Sequence, residues 1–494
     1  MRVLMLGWEF PPYIAGGLGV ACYGLTKALD RMGHEVLFVL PKAVDRSHSS
    51  HVRMLSPDML SRPGVGASPE SDLVELAMNI QPEDETALDP SGTPVYAFQR
   101  TSFTAIPAGF SSPYAGGRPV DGSRTAALTR LQSEILSAAE RMELEKVVAG
   151  ATLDDAVAAH PAQAHTASIP ESRGTIGGGA GIAYEGLDLL QETERYARLA
   201  VALTRKSDYD VIHAHDWLTY PAGLALKAVS RKPLVVHVHS TEFDRSGNNV
   251  NQKVYEIERA GMQGADRVIA VSQLTKSICV RRYGVSPGKV DVVYNGIERE
   301  IQQPVASAIE STDQIVLFLG RITMQKGPEY FIAAAQRVLE ILPDVKFVLA
   351  GSGDMALRMI ELAANMGIGH KVLFTGFLRG KDVEKVYRMA DCYVMPSVSE
   401  PFGLAALEAI NHNVPVILSK TSGASEVLQH VLKVDFWDID EMANKIVAVL
   451  RHPPLSDTLK EHGSFELHRL TWEGAAERCI RSYQGASAVK HAVA

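Results

Sequence analysis

Short apolar runs that alternate with stretches of helical periodicity constrain this chain more than any other feature. Residues 3–6 (Val-Leu-Met-Leu) read as a buried first strand. A helix face follows over residues 18–32, with apolar positions at Leu18, Ala21, Cys22, Leu25, Ala28, Leu29 and Met32. Gly33-His34-Glu35 breaks it, and residues 36–40 form the next strand, so the chain opens as a βαβ unit. The theme returns from Asp210 through Pro233-Leu-Val-Val-His-Val-His to Val268-Ile-Ala-Val-Ser. It returns again from Gln314-Ile-Val-Leu-Phe-Leu-Gly through the runs 345–350, 372–375, 392–396 and 415–418. Strand and helix in strict alternation give parallel sheets, so the fold class is α/β with two doubly wound, Rossmann-like domains facing each other across a cleft.

A linker is placed in 292–304, around Tyr294-Asn295-Gly296. The expected domains are 1–298, 299–469, and a terminal helix with a tail at 470–494. Pro, Ser, Asp and Gly dominate 47–122, and 149–186 turns rich in Ala, Gly and His, so about 47–199 reads as a loop-rich insertion. The 494 residues suit two or three domains. With 49 Lys+Arg against 57 Asp+Glu the net charge is −8, which argues against a nucleic-acid or anionic-membrane coat. Cys22, Cys279, Cys392 and Cys479 are too far apart for a disulfide scaffold or a Cys-rich zinc module. No run reaches the ~18–20 apolar residues of a membrane span, and Gly7-Trp8-Glu9 cuts short the only leader-like start. The expectation is a cytoplasmic protein with no transmembrane segment, its oligomeric state open.

Three motifs carry anion or hydroxyl chemistry. Gly16-Gly17-Leu18-Gly19 lies between the first strand and its helix, where backbone N–H groups and the helix N-terminus can receive a phosphate. It lacks the dinucleotide GxGxxG, and no acidic residue ends the second strand, which disfavours a nicotinamide dehydrogenase. Gly320-Arg321-Ile-Thr-Met-Gln-Lys326-Gly327 puts a guanidinium and an ammonium between a buried strand and a helix, a pairing suited to a diphosphate. Glu400-Pro-Phe-Gly403-Leu404-Ala-Ala-Leu-Glu408 sets one carboxylate in a loop and the other within the following helix, two acceptors for sugar and ribose hydroxyls.

A fourth element, His213-Ala-His215-Asp216-Trp217, ends a buried strand and is echoed by His237-Val-His239. Paired histidines at a strand end are metal-ligand chemistry, so a metal-dependent hydrolase is one alternative. Against it stands the absence of eight evenly spaced strands, and no metal site is expected. Asp438-Ile-Asp440 precedes an amphipathic stretch and reads as a helix cap.

Together these motifs resemble the retaining nucleotide-sugar glycosyltransferases of the GT-B fold, in particular the glycogen/starch synthase group and its close relatives. The resemblance covers about 2–44 and 210–484. It implies that Arg321 and Lys326 hold the donor diphosphate, with the amides of Gly16 and Gly17 on the same phosphates. It implies that Glu408 binds the ribose, that Glu400 faces the hexose, and that His215 lies against the transferred sugar. Gly403, Leu404, Gly423 (in Ser422-Gly-Ala-Ser-Glu426) and Asn295 complete the implied donor site. The Leu470-Thr-Trp472…Tyr483 stretch resembles the terminal helix that crosses back onto the first domain. No cofactor is implied. The implied partners are a nucleotide-sugar donor, ADP-glucose or UDP-glucose, and a glucan or other sugar acceptor. Glucan synthases of this group carry Lys-x-Gly-Gly-Leu in the first loop, where this chain has Ile14, so a smaller, non-glucan acceptor stays open. A module that binds the donor without turnover is a third alternative.

Overall fold

The computed structural model describes residues 1–10, 17–40, 99–105, 186–204, 206–298 and 313–493. Ile14, Gly16 and most of the 47–199 segment lie outside the described residues. The first sheet contains β1 (Arg2–Leu6), β2 (Glu35–Leu40), β3 (Thr101–Ala105), β4 (Val211–His215), β5 (Leu234–Val238), β6 (Arg267–Ala270) and β7 (Val290–Val292). They lie in the order β3-β2-β1-β4-β5-β6-β7, and every neighbouring pair is parallel. The second sheet contains β8 (Ile315–Leu319), β9 (Lys346–Ala350), β10 (Val372–Gly376), β11 (Cys392–Met395), β12 (Val416–Ser419) and β13 (Leu432–Val434). Its order is β10-β9-β8-β11-β12-β13, again all parallel. The two parallel Rossmann-like sheets expected from the alternation are therefore present.

The strands read as unbroken apolar runs because helices cover both faces. In β1, Leu4 and Leu6 enter a core with Tyr196, Ile212 and Leu234. Val3 and Met5 point the other way, into a core with Cys22, Leu25, Trp472 and Tyr483. Helix Gly17–Arg31 ends at Gly33, whose φ of +84° lets His34 N–H return to the Leu29 carbonyl at 3.0 Å. Asp438 caps helix Ile439–Arg451 by accepting from the Glu441 amide at 3.0 Å.

The segment 47–199 holds more of the first domain than its composition announces. Thr101–Ala105 is the edge strand β3, and helix Gly186–Thr204 sends Leu189, Tyr196 and Ala200 into the core. Thr-Ser-Phe-Thr-Ala carries no hydrophobic alternation. Its place is fixed instead by Asp30, which accepts from the Gln99 and Arg100 amides and the Thr101 hydroxyl at 2.7–3.0 Å.

The chain passes between the two sheets twice, and the passes touch. Ile297 N–H donates to the Leu470 carbonyl at 2.9 Å. A Cβ on Gly296 would stand 2.3 Å from the Thr471 carbonyl carbon, so only glycine fits. After the second pass, helix Trp472–Val493 lies on helix Gly17–Arg31, with Trp472, Ala476, Cys479 and Tyr483 in a shared core. Among the described residues no helix is long and apolar enough to cross a membrane.

Gly24 is the tightest point of that helix contact, because a Cβ there would sit 2.1 Å from the Trp472 indole. Gly24→Ala is expected to lower stability by about 1–3 kcal/mol through overpacking. Urea unfolding checks this, and an unchanged midpoint would contradict the packing described.

Candidate functional site

In an open parallel sheet the ligand crevice forms where neighbouring strands send their connections to opposite faces. The second sheet has that point between β8 and β11. The loop after β8 carries Gly320, Arg321 and the short turn Met324–Lys326, and the loop after β11 carries Glu400. Gly327, at φ +64°, opens helix Pro328–Leu339, and a Cβ there would lie 2.2 Å from the Pro396 carbonyl oxygen. Glycine at that position lets the two loops close on each other. Gln325, only 4% exposed, then joins them: its Nε2 donates to the Ser399 carbonyl at 3.1 Å, and its carbonyl accepts from Val398 N–H at 2.9 Å.

The result is an ion pair between Lys326 and Glu400. The Ser397 hydroxyl also donates to the Glu400 carboxylate, at 3.3 Å. The Glu400 backbone pairs with the next loop, donating to Thr421 O at 3.0 Å and accepting from Gly423 N–H at 2.9 Å. Gly403, at φ +108°, turns the chain into helix Leu404–Asn411. Glu408 lies one turn in, half-buried, and accepts the Tyr387 hydroxyl at 3.1 Å; burial pushes its carboxyl up. Arg321 is half-buried beside this pair of loops.

The first sheet has its reversal between β1 and β4. There helix Gly17–Arg31 begins, and the position of a Cβ on Gly17 is 3.8 Å from the Leu404 side chain. Two helix N-termini, one from each sheet, thus meet across the crevice. A helix N-terminus carries N–H groups without intrahelical partners and positive partial charge, the two properties an anion needs. The fold brings together Gly17, Leu404, Gly403, Glu400, Lys326 and Gly423. Asn295 is buried in the linker, one residue before Gly296 packs on Thr471.

On β4 and β5, and one residue beyond β5, stand four histidines on one face, with His215 opposite His237 in register. His213, His215 and His237 are buried, while His239 is partly exposed. The His215 Nδ1 lies 2.9 Å from His239 Nε2, and the Tyr483 hydroxyl lies 2.8 Å from His213 Nδ1. His215 is therefore enclosed, and His239 is the ring that its loop presents outward. Asp216, at φ +58°, fixes that loop by accepting the His239 amide at 2.7 Å. Burial pushes the Asp216 carboxyl up to about 7 and lowers His213 and His239 to about 3, with His215 and His237 also well below their ordinary value.

These rings also answer the metal alternative. Nitrogens of His213, His215 and His237 come within 4.8 Å of one another, the one such His/Cys/Asp/Glu group among the described residues. Ligands of one tetrahedral zinc stand about 3.3–3.5 Å apart, with lone pairs converging. Here the rings stack, His213 on His237 at 10° and His215 on His237 at 28°, so their in-plane lone pairs run side by side. The geometry suits packed neutral imidazoles better than an ion. His213 Nε2, His215 Nε2 and both nitrogens of His237 are enclosed without a hydrogen-bond partner. Each such group costs about 1–3 kcal/mol.

Two features escaped the sequence reading. Gly351 and Gly353, directly after β9, let that loop press on the 320–322 loop: their Cβ positions fall 1.9 Å from Gly320 O and 2.2 Å from Ile322 O. The signal was Gly-Ser-Gly at a strand end. The other is Asp244, on helix Glu242–Ser246, whose carboxylate accepts the Ser399 hydroxyl at 2.6 Å across the crevice. Nothing local in the sequence marks that contact.

Three family models match the chain in succession: the starch synthase catalytic domain over residues 2–154, glycosyltransferase family 4 over 164–301, and glycosyl transferases group 1 over 300–464. An uncharacterised glycosyltransferase of Methanocaldococcus jannaschii is 33% identical over 295 residues, 56% of this chain and 75% of that protein. A D-inositol 3-phosphate glycosyltransferase of Kribbella flavida is 28% identical, over 62% of this chain and 79% of its own length. Among solved structures, sucrose-phosphate synthase of Thermosynechococcus elongatus superimposes with a TM-score of 0.64 at 19% identity, covering 99% of both chains. The fold and its crevice define a GT-B protein. The chain belongs to the group 1 glycosyltransferases.

The histidine cluster has a pH consequence. The unfolded chain takes up these protons near pH 6.5, while folded His213 and His239 resist until about 3, so folding weakens as pH falls through that window. Asp216 acts with the opposite sign between about 7 and its ordinary value. His237→Phe removes one of the resisting groups, so its urea midpoint is expected to fall less between pH 7 and pH 5 than that of the wild type. Equal falls would contradict this reading.

Proposed function

We propose that the protein transfers glucose, or a similar hexose, from a nucleoside diphosphate to a hydroxyl acceptor with retention of anomeric configuration. The observation that carries the reading is the meeting of two helix N-termini, at Gly17 and Leu404, beside the Lys326–Glu400 ion pair. In this reading the diphosphate lies between those N-termini, with Arg321 and Lys326 on its oxygens. Lys326 exchanges the Glu400 carboxylate for phosphate, and Glu400 is released to accept hexose hydroxyls. Glu408 takes the ribose hydroxyls, and Gly423 and Gly403 let backbone amides approach the donor. His239 faces the sugar, and His215 holds its ring from behind.

The bond between the anomeric carbon and the diphosphate oxygen breaks with its electron pair going to the leaving group. The acceptor oxygen forms the new bond on the same face and gives its proton to the departing phosphate oxygen. Cations and helix dipoles aimed at that developing charge supply stabilisation of several kcal/mol. The starch synthase model over 2–154 favours a glucan acceptor. Ile14 in place of a lysine, together with the inositol-phosphate relative, favours a small phosphorylated polyol as the second reading.

The test is nucleoside diphosphate release from ADP-glucose and UDP-glucose in EDTA, with glycogen, with inositol 3-phosphate, or with neither. Release stimulated by one acceptor is expected, together with a fall in kcat/KM of about 100-fold or more in Lys326→Ala, the scale of losing one charge-stabilising group. Wild-type rates in Lys326→Ala would overturn the site assignment, and no release from any nucleotide sugar would overturn the reaction.

A further inference from the structure

We infer that Asp244 is a positioning residue for the donor site, acting across the crevice through Ser399. The inference rests on the transferase reading above and adds to it a group that touches neither donor nor acceptor.

Asp244 belongs to the first domain and is 2% exposed. One oxygen, Oδ2, is committed locally: it accepts the Thr241 amide and the Thr241 hydroxyl, each at 2.7 Å, closing a capping box. The other, Oδ1, accepts the Ser399 hydroxyl at 2.6 Å, a length typical of a charge-assisted bond. Ser399 belongs to the second domain and directly precedes Glu400. A buried carboxylate oxygen needs a donor, and here the opposite domain provides one. The bond exists only while the two domains are closed on each other.

Both ends of the link are stiff. On the Asp244 side, Arg245 is enclosed between Glu242 and Glu258, and the Tyr283 hydroxyl donates to Glu258. The same loop begins at His239, whose amide is held by Asp216. On the Ser399 side, the carbonyl is fixed by Gln325 Nε2, and Gln325 adjoins Lys326. The link therefore sets the position of the Lys326–Glu400 loops relative to the loop that presents His239. Donor contacts lie mainly within the second domain, whereas transfer needs both domains in register. Losing the link should therefore lower kcat more than it raises the donor KM.

Four variants test this. Ser399→Ala is expected to lower kcat about tenfold, equivalent to about 1.4 kcal/mol, with the donor KM changed less than twofold. Ser399→Thr keeps the hydroxyl and should restore most of the rate. Combining Ser399→Ala with Asp244→Ala should cost no more than Asp244→Ala alone, the signature of one shared interaction. A second readout needs no turnover. The four native cysteines are buried, so dyes on Val229→Cys and Leu357→Cys, at exposed positions in the two domains, report interdomain distance by energy transfer. Ser399→Ala should broaden that distance toward longer values. An unchanged distance distribution, an unchanged kcat against an active wild type, or additive losses in the double variant would each overturn the inference. A wild type inactive on every nucleotide sugar would overturn the transferase reading and leave the distance measurement to decide the link.

Discussion

Everything in this molecule depends on the contact between its two interdomain passes. Gly296 lies against the Thr471 backbone so closely that no side chain fits, and Ile297 and Leu470 are joined by a backbone hydrogen bond. That double crossing turns the reversal point of one parallel sheet toward the reversal point of the other. Without it the two helix N-termini at Gly17 and Leu404 would belong to separate domains and face separate spaces. With it they share one crevice.

The crevice is built from loops that only glycine allows to approach one another. Gly327 passes the Pro396 carbonyl, Gly351 passes Gly320, and Gly423 fits against the Pro401 carbonyl and Ser272. Each contact trades conformational freedom for a fixed backbone, and together they leave Lys326 and Glu400 as the charged pair at the centre. Glu426 adds a hold from the second domain: its carboxylate accepts the Gln273 and Leu274 amides of the first at 2.8 and 2.7 Å. A charge at a helix N-terminus is favourable there. The histidine face opposes these gains, since its enclosed, unpartnered nitrogens are a standing cost.

Much of this was legible in the sequence. Apolar runs such as Ile315–Leu319 are long enough and continuous enough to be buried strands, and their alternation with helices forces parallel sheets. Lys326 and Glu400 were legible because each follows a buried strand at the edge where such sheets bind ligands. Thr101–Ala105 was not, because an edge strand needs no apolar periodicity when Asp30 anchors it from 71 positions away. The difference in exposure between His215 and His239 was not legible either, since alternation puts both on the same face and only their depth distinguishes them. Asp244 was invisible because its partner is 155 positions away, in the other domain.

The shared crevice is tested most directly by a crystal structure with a nucleoside diphosphate bound. The diphosphate is expected between the N-termini of helices Gly17–Arg31 and Leu404–Asn411, with the Lys326 ammonium moved from Glu400 onto a phosphate oxygen. A diphosphate bound away from both helix ends, with the Lys326–Glu400 pair intact, would contradict it.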